Sequence, residues 1–403
     1  MAAAVRSSSA PSMSPRATRA PSLARRSAIS RPSPLAAPVT TATRSLTPGM
    51  RALHLVHEHH GVSSSSAGSA RGMRARPKIS PKQPRVKGSC HQTARESDII
   101  EPMASREITL ETKAAGAHTR ELIHRARRLP LVETEWLVEP PRPGWALGMV
   151  SWVALDGEGV AYMLQRGDRA APVIALDTQG RVLRSWGDGL YELPHAIRVD
   201  PAGAIWTVDA ATSTVRKFTP RGATLLQIDV GGQPAGTGSR FNGATDVAFG
   251  PDGRVFIADG YGNARILEYT TRGRKVREWG SPGSGPGQFR LPHSIAVDGE
   301  TIYVADRENG RIQLFDLEGK YLDEFPIGKT YSVQVAGGSL WASVHPLDLP
   351  TASPGWLVKL DRETGAILGY VEVAEKLGLH FVEATPEGEP MTEVAKHVRW
   401  YRK

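Results

Sequence analysis

The 403-residue chain has one cysteine, Cys90. A single thiol allows no disulfide framework within a monomer and no cysteine-based metal site. Aromatic residues are scarce, at 6%, and no apolar run reaches the ~18 residues that a membrane-spanning helix needs. Acids are almost missing from the first quarter: residues 1–95 hold 16 Lys or Arg and one acid, Glu58, a net of +15. The whole chain is +9, so the remainder carries 9 − 15 = −6. The basic balance therefore belongs to the tail and describes no partner of the rest. The tail also lacks aromatic residues interleaved with its basic ones, so a nucleic-acid partner is not expected.

Ser, Ala, Pro and Arg dominate residues 1–104. Such a segment cannot bury enough apolar surface to offset its ordering entropy, and it is expected to be a disordered extension. Its Arg-rich, Ser-rich, acid-poor character also fits an organelle transit peptide, and Met103 offers an alternative start. No apolar stretch follows Arg25-Arg26, so it does not read as a secretory signal, and the compartment stays unknown. His54, His57, His59 and His60 could meet a metal, but a floppy segment holds no ligand geometry. Residues 105–133 read as a linker or short helix with Leu122, Ile123 and Leu129 as its apolar positions.

From residue 134 to 403 the chain changes character. Gly287-Gln288-Phe289-Arg290-Leu291-Pro292-His293-Ser294-Ile295-Ala296-Val297-Asp298 leads into a turn, then a returning strand at Ile302–Ala305 and two more strands to Phe325. Short strands at even spacing with turn signals between them mark an all-β fold. The unit recurs with a period of about 45 residues, the signature of propeller blades. Six inner strands align, beginning at Ser151, His195, Thr245, His293, Tyr331 and His380. The sixth unit has room for only three strands before Lys403, and Glu135–Glu139 is placed to supply the fourth. The expected architecture is thus a six-bladed β-propeller with no open sheet edge, and the chain is read as a monomer.

Histidine occupies the first position in the second, fourth and sixth units only. Alternate blades of a six-bladed ring are ~120° apart, and all inner strands start at one mouth of the channel. His195, His293 and His380 should therefore converge with threefold geometry, as three histidines holding a catalytic zinc do. The ligand type alone leaves iron, manganese and cobalt open. The second strand of each unit returns to the same mouth, so the following loop lies beside the histidines. Those loops place Arg166, Tyr261 and Arg307 there. Two guanidiniums can clamp a carboxylate, and a cation beside a phenol favours its ionised form. His345 and His397 fall outside this register and read as structural or exposed.

At these residues the chain resembles the peptidyl-α-hydroxyglycine α-amidating lyases, zinc enzymes built on an NHL-repeat-like propeller. The likeness runs from about 134 to 403. It is densest in Ala258-Asp259-Gly260-Tyr261-Gly262-Asn263-Ala264-Arg265-Ile266 and Ala305-Asp306-Arg307-Glu308-Asn309-Gly310-Arg311-Ile312, with Leu193-Pro194-His195, Leu291-Pro292-His293 and Arg166-Gly167-Asp168 beside them. The resemblance implies zinc ligands at His195, His293 and His380, a catalytic base at Tyr261 and active-site arginines at Arg166 and Arg307. It implies a peptide or small substrate carrying a carboxylate, and cleavage of an N-(α-hydroxyalkyl) amide to a primary amide and glyoxylate. The chain departs from the family in Leu379-His380-Phe381, where Pro-His-Asp is usual; without that Asp, calcium loses a ligand. Gly262 stands where animal members have a cysteine, and no copper monooxygenase domain is fused.

Two other readings compete. A non-catalytic NHL-type propeller would present its loops to a protein, glycan or RNA partner, but has no use for three histidines on alternate blades. A propeller lactonase also places a metal on the axis, generally through acidic and amide ligands, and the aligned first positions contain no Glu or Asn.

Overall fold

The computed structural model describes residues 110–231, 243–349, 354–374 and 378–403. The 1–104 extension, its histidines and the disorder expected of it lie outside the described residues. Six four-stranded antiparallel sheets make up a six-bladed β-propeller. The inner strands are Val150–Leu155, Pro194–Val199, Ala244–Phe249, Pro292–Asp298, Lys329–Ala336 and Glu383–Ala384. Among the described residues no helix is long and apolar enough to cross a membrane.

The hairpins owe their regularity to a short turn motif, Asp or Thr followed three residues later by Gly. Asp200 Oδ1 accepts the N–H groups of Ala202 and Ala204 at 3.0 and 2.8 Å. Asp156 does the same for Glu158 and Val160, and Asp316 for Glu318 and Lys320. Thr219 and Thr270 each take one such N–H through the hydroxyl. The side chain satisfies donors that the tight turn would otherwise leave over.

Burial then grades outward. In blade one the first three strands are buried almost throughout, whereas Val182–Trp186 alternates between half-buried and exposed. One face of that outer strand packs on the next blade. Trp186 lies so close to the turn at Gly222 that an added Cβ there would sit 2.8 Å from the indole, on a backbone with φ +88°. Only glycine fits both constraints.

Val132–Trp136 pairs antiparallel with His397–Arg402, from Val132 opposite Arg402 to Trp136 opposite Val398. The earliest strand of the ring is thus the outermost strand of the last blade, and the circle is closed by hydrogen bonds. Arg399 reinforces the seam through Glu133 and Glu135, at 3.0 and 2.7 Å. The strand sits three residues before the expected Glu135–Glu139. Four of its five side chains are exposed, so it carries no alternation to mark its position.

Two further details refine the sequence reading, the first within it and the second against it. The 105–133 segment contains helix α1, Leu110–His124, and the helix is fastened down. Ile123 is fully buried, Arg120 makes a forked contact to Asp348 at 3.0–3.1 Å, and the Leu129 N–H reaches Tyr370 O at 2.8 Å. The inner strand of blade six is also much shorter than the expected run from His380 to Thr385, since only Glu383–Ala384 pairs as strand. Leu379, buried and with φ +68°, turns the chain at that point. A left-handed non-glycine residue costs of order 1–3 kcal/mol, which Glu393 offsets. Its carbonyl accepts the Leu379 N–H, and its carboxylate accepts those of His380 and Phe381.

Candidate metal centre and active site

His195 and His293 are the second residues of the inner strands of blades two and four, and His380 stands in the loop before the inner strand of blade six. His195 and His293 are fully buried and His380 half-buried. One ring nitrogen from each lies within 4.8 Å of the others.

Hydrogen bonding decides which nitrogen faces inward. His195 Nδ1 is 2.6 Å from Thr245 O, His293 Nδ1 is 2.6 Å from Tyr331 O, and His380 Nδ1 is 3.3 Å from Ser151 O. A carbonyl only accepts, so each Nδ1 carries the hydrogen and each Nε2 offers a lone pair. The three carbonyls belong to Thr245, Tyr331 and Ser151, near the starts of the inner strands in blades three, five and one. Every histidine is therefore oriented by the neighbouring odd-numbered blade.

The three lone pairs face one another and one hydroxyl. His380 Nε2 and His195 Nε2 are 3.1 Å apart. The Tyr261 hydroxyl lies 2.9 Å from both His195 Nε2 and His293 Nε2 but has a single proton. His195 is also held neutral: burial, the other two imidazoles and Arg166 together push it well below the ordinary histidine range. Imidazoles anchored through the far nitrogen, with converging lone pairs, form a donor set that fits a divalent cation. Two ligands ~2.0–2.1 Å from a tetrahedral zinc are about 3.3 Å apart, close to the 3.1 Å between His195 and His380, and all three lie within 4.8 Å. The residues present fit zinc.

The loops after the second strands deliver the remaining groups. In four blades a loop residue donates its N–H to a carbonyl just ahead of the inner strand: Arg166 to Met149, Ala210 to Leu193, Tyr261 to Gly243 and Arg307 to Leu291, at 2.9–3.0 Å. Tyr261 stands one residue further along its loop than the arginines because Gly260 intervenes. A Cβ on Gly260 would meet Pro292 O at 2.1 Å, so only glycine passes there. Arg166 is anchored to Pro194 O through Nε at 2.9 Å and to Ser151 Oγ through Nη2 at 3.0 Å. Arg307 is 3% exposed, bonds Glu308 through Nε at 3.0 Å, and lies over the Tyr331 ring at 4.7 Å and the Tyr261 ring at 5.9 Å.

All six residues singled out from the sequence thus come to one mouth of the channel. His345 is buried against Tyr331, with ring centroids 4.8 Å apart, and His397 contacts Glu135 at the closing seam. Sequence reasoning passed over Glu308, Ser151 and Glu393. Glu308 lies inside the quoted Asp-Arg-Glu-Asn motif and faces Lys329 at 3.7 Å as well as Arg307. Ser151 Oγ ties the His195 carbonyl to Arg166. Burial pushes the Glu393 carboxyl up to about 8, although the N–H groups of the His380 loop pull it the other way. Glu393 comes from a second strand whose alignment gave no signal.

A family model described as a 6-bladed beta-propeller matches residues 247–386. The chain is 33% identical over 272 residues to the mouse peptidyl-glycine alpha-amidating monooxygenase, a match covering 58% of this chain and 27% of that one. It is 37% identical over 161 residues to the Drosophila melanogaster peptidyl-alpha-hydroxyglycine alpha-amidating lyase 1, covering 36% and 30%. It is 28% identical over 228 residues to the human NHL repeat-containing protein 3, covering 52% and 62%. The match thus spans less than a third of the mouse and fly proteins' own length.

Proposed function

Because the chain belongs to the peptidyl-α-hydroxyglycine α-amidating lyase family of NHL-repeat propellers, we propose that it cleaves N-(α-hydroxyalkyl) amides to a primary amide and glyoxylate. The observation that carries the reading is the convergence of three histidine Nε2 atoms, one phenol and two guanidiniums at one channel mouth. His195, His293 and His380 would hold zinc through Nε2. When bound, zinc supplies a Lewis acid that polarises a substrate oxygen.

The substrate is a carbinolamide with a carboxylate on its α-carbon. Arg307, stacked on Tyr331 and with its Nε committed to Glu308, holds its guanidinium face in place and binds that carboxylate. Arg166, fixed by Pro194 O and Ser151, adds positive charge at the developing oxyanion. Tyr261 as phenolate takes the proton from the substrate hydroxyl. The C–O bond becomes a carbonyl as the C–N bond breaks, and the amide nitrogen takes a proton back from Tyr261. No water is consumed, which makes the reaction a lyase elimination.

The test compares the full-length protein with Tyr261→Phe. Glyoxylate release from an N-acyl-α-hydroxyglycine should fall by at least ~10²-fold, within the ~10²–10⁴-fold worth of general base catalysis. Zinc content should stay at one per chain in both proteins. A wild type that holds zinc and releases no glyoxylate from any such substrate would overturn the lyase reading and leave a metal-bearing propeller.

A further inference from the structure

At its other end the channel opens into a second cavity of about 500 Å³. His195 stands near the start of an inner strand whose end, Val199, lines this cavity, about 13 Å away at ~3.3 Å per residue. The two ends are separated by a side-chain layer. Trp152 stacks on Phe381 at 5.7 Å, and the Arg198 guanidinium lies over Trp152 at 4.6 Å. Arg198 bonds Asp246 through Nε and Nη2 at 3.0 and 2.8 Å, Gln334 at 2.7 Å, Ser294 at 3.4 Å and Val333 O at 3.3 Å. Asp246 pairs with its charge at 2.8 Å, so the cavity has no unpaired guanidinium to offer an anion.

The group left over is an acceptor. Glu383 is 5% exposed and lines the cavity, and its Oε2 has no hydrogen-bond partner. Arg198 Nη1 is 3.6 Å from that oxygen, beyond hydrogen-bonding reach. The same carboxylate accepts only the Leu155 N–H from the backbone, and burial raises its pKa to about 7. Leu155, Val199, Phe249, Val297 and Val335 wall part of the space, and Asp156 and Asp200, which also line it, have their carboxylates engaged by their own turns and by Trp206 and Lys217. One carboxylate oxygen is far short of the six or more that a divalent ion wants. An ammonium needs one strong acceptor, and an alkyl chain suits the apolar walls.

We propose that this cavity is a second binding site, for a small organic ammonium ion whose N–H donates to Glu383 Oε2 and whose alkyl part fills the apolar walls. The site stands independently of the lyase reading, since none of its residues belongs to the histidine mouth. It takes an aliphatic amine in a volume typical of small-ligand pockets.

The probe is butylammonium, titrated calorimetrically into the full-length protein at about pH 8, where Glu383 is mostly ionised. Butanol and butyrate serve as neutral and anionic counterparts. Butylammonium should bind saturably, with butanol and butyrate at least tenfold weaker. Glu383→Gln should weaken butylammonium at least tenfold. Val297→Trp, which fills the cavity from its wall and leaves Glu383 in place, should do the same if the first variant fails to fold. Tyr261→Phe should bind the probe like wild type. Equal binding of butanol, no saturable binding of butylammonium, or undiminished binding by a folded Glu383→Gln or Val297→Trp would overturn the proposal.

Discussion

Replacing Asp246 by Asn removes one charge from the middle of the ring and changes almost no volume. Asp246 is fully buried and accepts five hydrogen bonds, from Arg198 Nε and Nη2, Ser294 Oγ, Ile295 N and Val247 N. Asn keeps one oxygen but turns an NH₂ group toward donors, and it leaves the Arg198 guanidinium, 6% exposed, without its close counter-ion, with only Glu383 at 3.6 Å. Breaking one partner of a buried ion pair costs ~3–5 kcal/mol. For a domain of this size each kcal/mol is worth about 2–4 °C in Tm, so the loss should be about 6–20 °C. Scanning calorimetry at fixed pH and zinc concentration measures it, since bound metal would itself shift Tm. Adding Arg198→Met should restore part of the loss, because the charge that lacked a partner is then gone. A drop smaller than about 3 °C for Asp246→Asn alone, or a double variant no better than the single, would refute the view that this pair holds the blades together.

Arg307→Ala should raise KM for a carboxylate-bearing substrate about 10–100-fold, the worth of one hydrogen bond to a charged group, and leave an analogue without the carboxylate unaffected; equal losses for both would remove the clamp. Truncation before residue 138 should unfold at lower temperature than truncation before residue 132, by several kcal/mol at ~0.5–1.5 kcal/mol per backbone bond, because only the longer deletion removes the closing strand; equal melting of the two would dismiss ring closure. Glu383 adds a pH dependence. Burial lifts its carboxyl from 4.5 to about 7, against the pull of Arg198 and with the push of Asp246. The protonated form is the one the fold prefers, so its contribution is full below about pH 4.5 and fades as pH rises through about 7. Wild type should therefore lose more Tm between about pH 5 and pH 8 than Glu383→Gln, and parallel curves would contradict the shifted carboxyl.

The ring was legible because its repeat unit has a strong local grammar. Apolar inner strands, Asp-x-x-Gly turns and the Leu-Pro-His approach recur at a period that only a blade explains. The alternation of His195, His293 and His380 followed from counting positions within that unit. The closing strand was harder to locate, since Val132–Trp136 is mostly exposed and has no apolar alternation. Blade six departed furthest, because Leu379 turns left-handed there and a buried Glu393 replaces the strand pairing. The Arg198–Asp246 layer gave no signal, since charged residues in an inner strand look the same whether they face water or each other. Contacts between side chains distant in sequence, such as Arg120 with Asp348 on the helix, leave no local pattern to read.

The carbonyls that orient the histidines give the ring a second symmetry. Even-numbered blades supply imidazoles and odd-numbered blades supply the acceptors that aim them, so the architecture repeats six times but the chemistry only three. The unit that can be duplicated, lost or exchanged without spoiling the mouth is therefore a pair of blades. Inserting one blade would set two acceptors or two imidazoles side by side and leave a ligand unaimed. A ring of this kind can vary freely in its outer strands, but its inner row is locked in phase, as alternating teeth on two gears are.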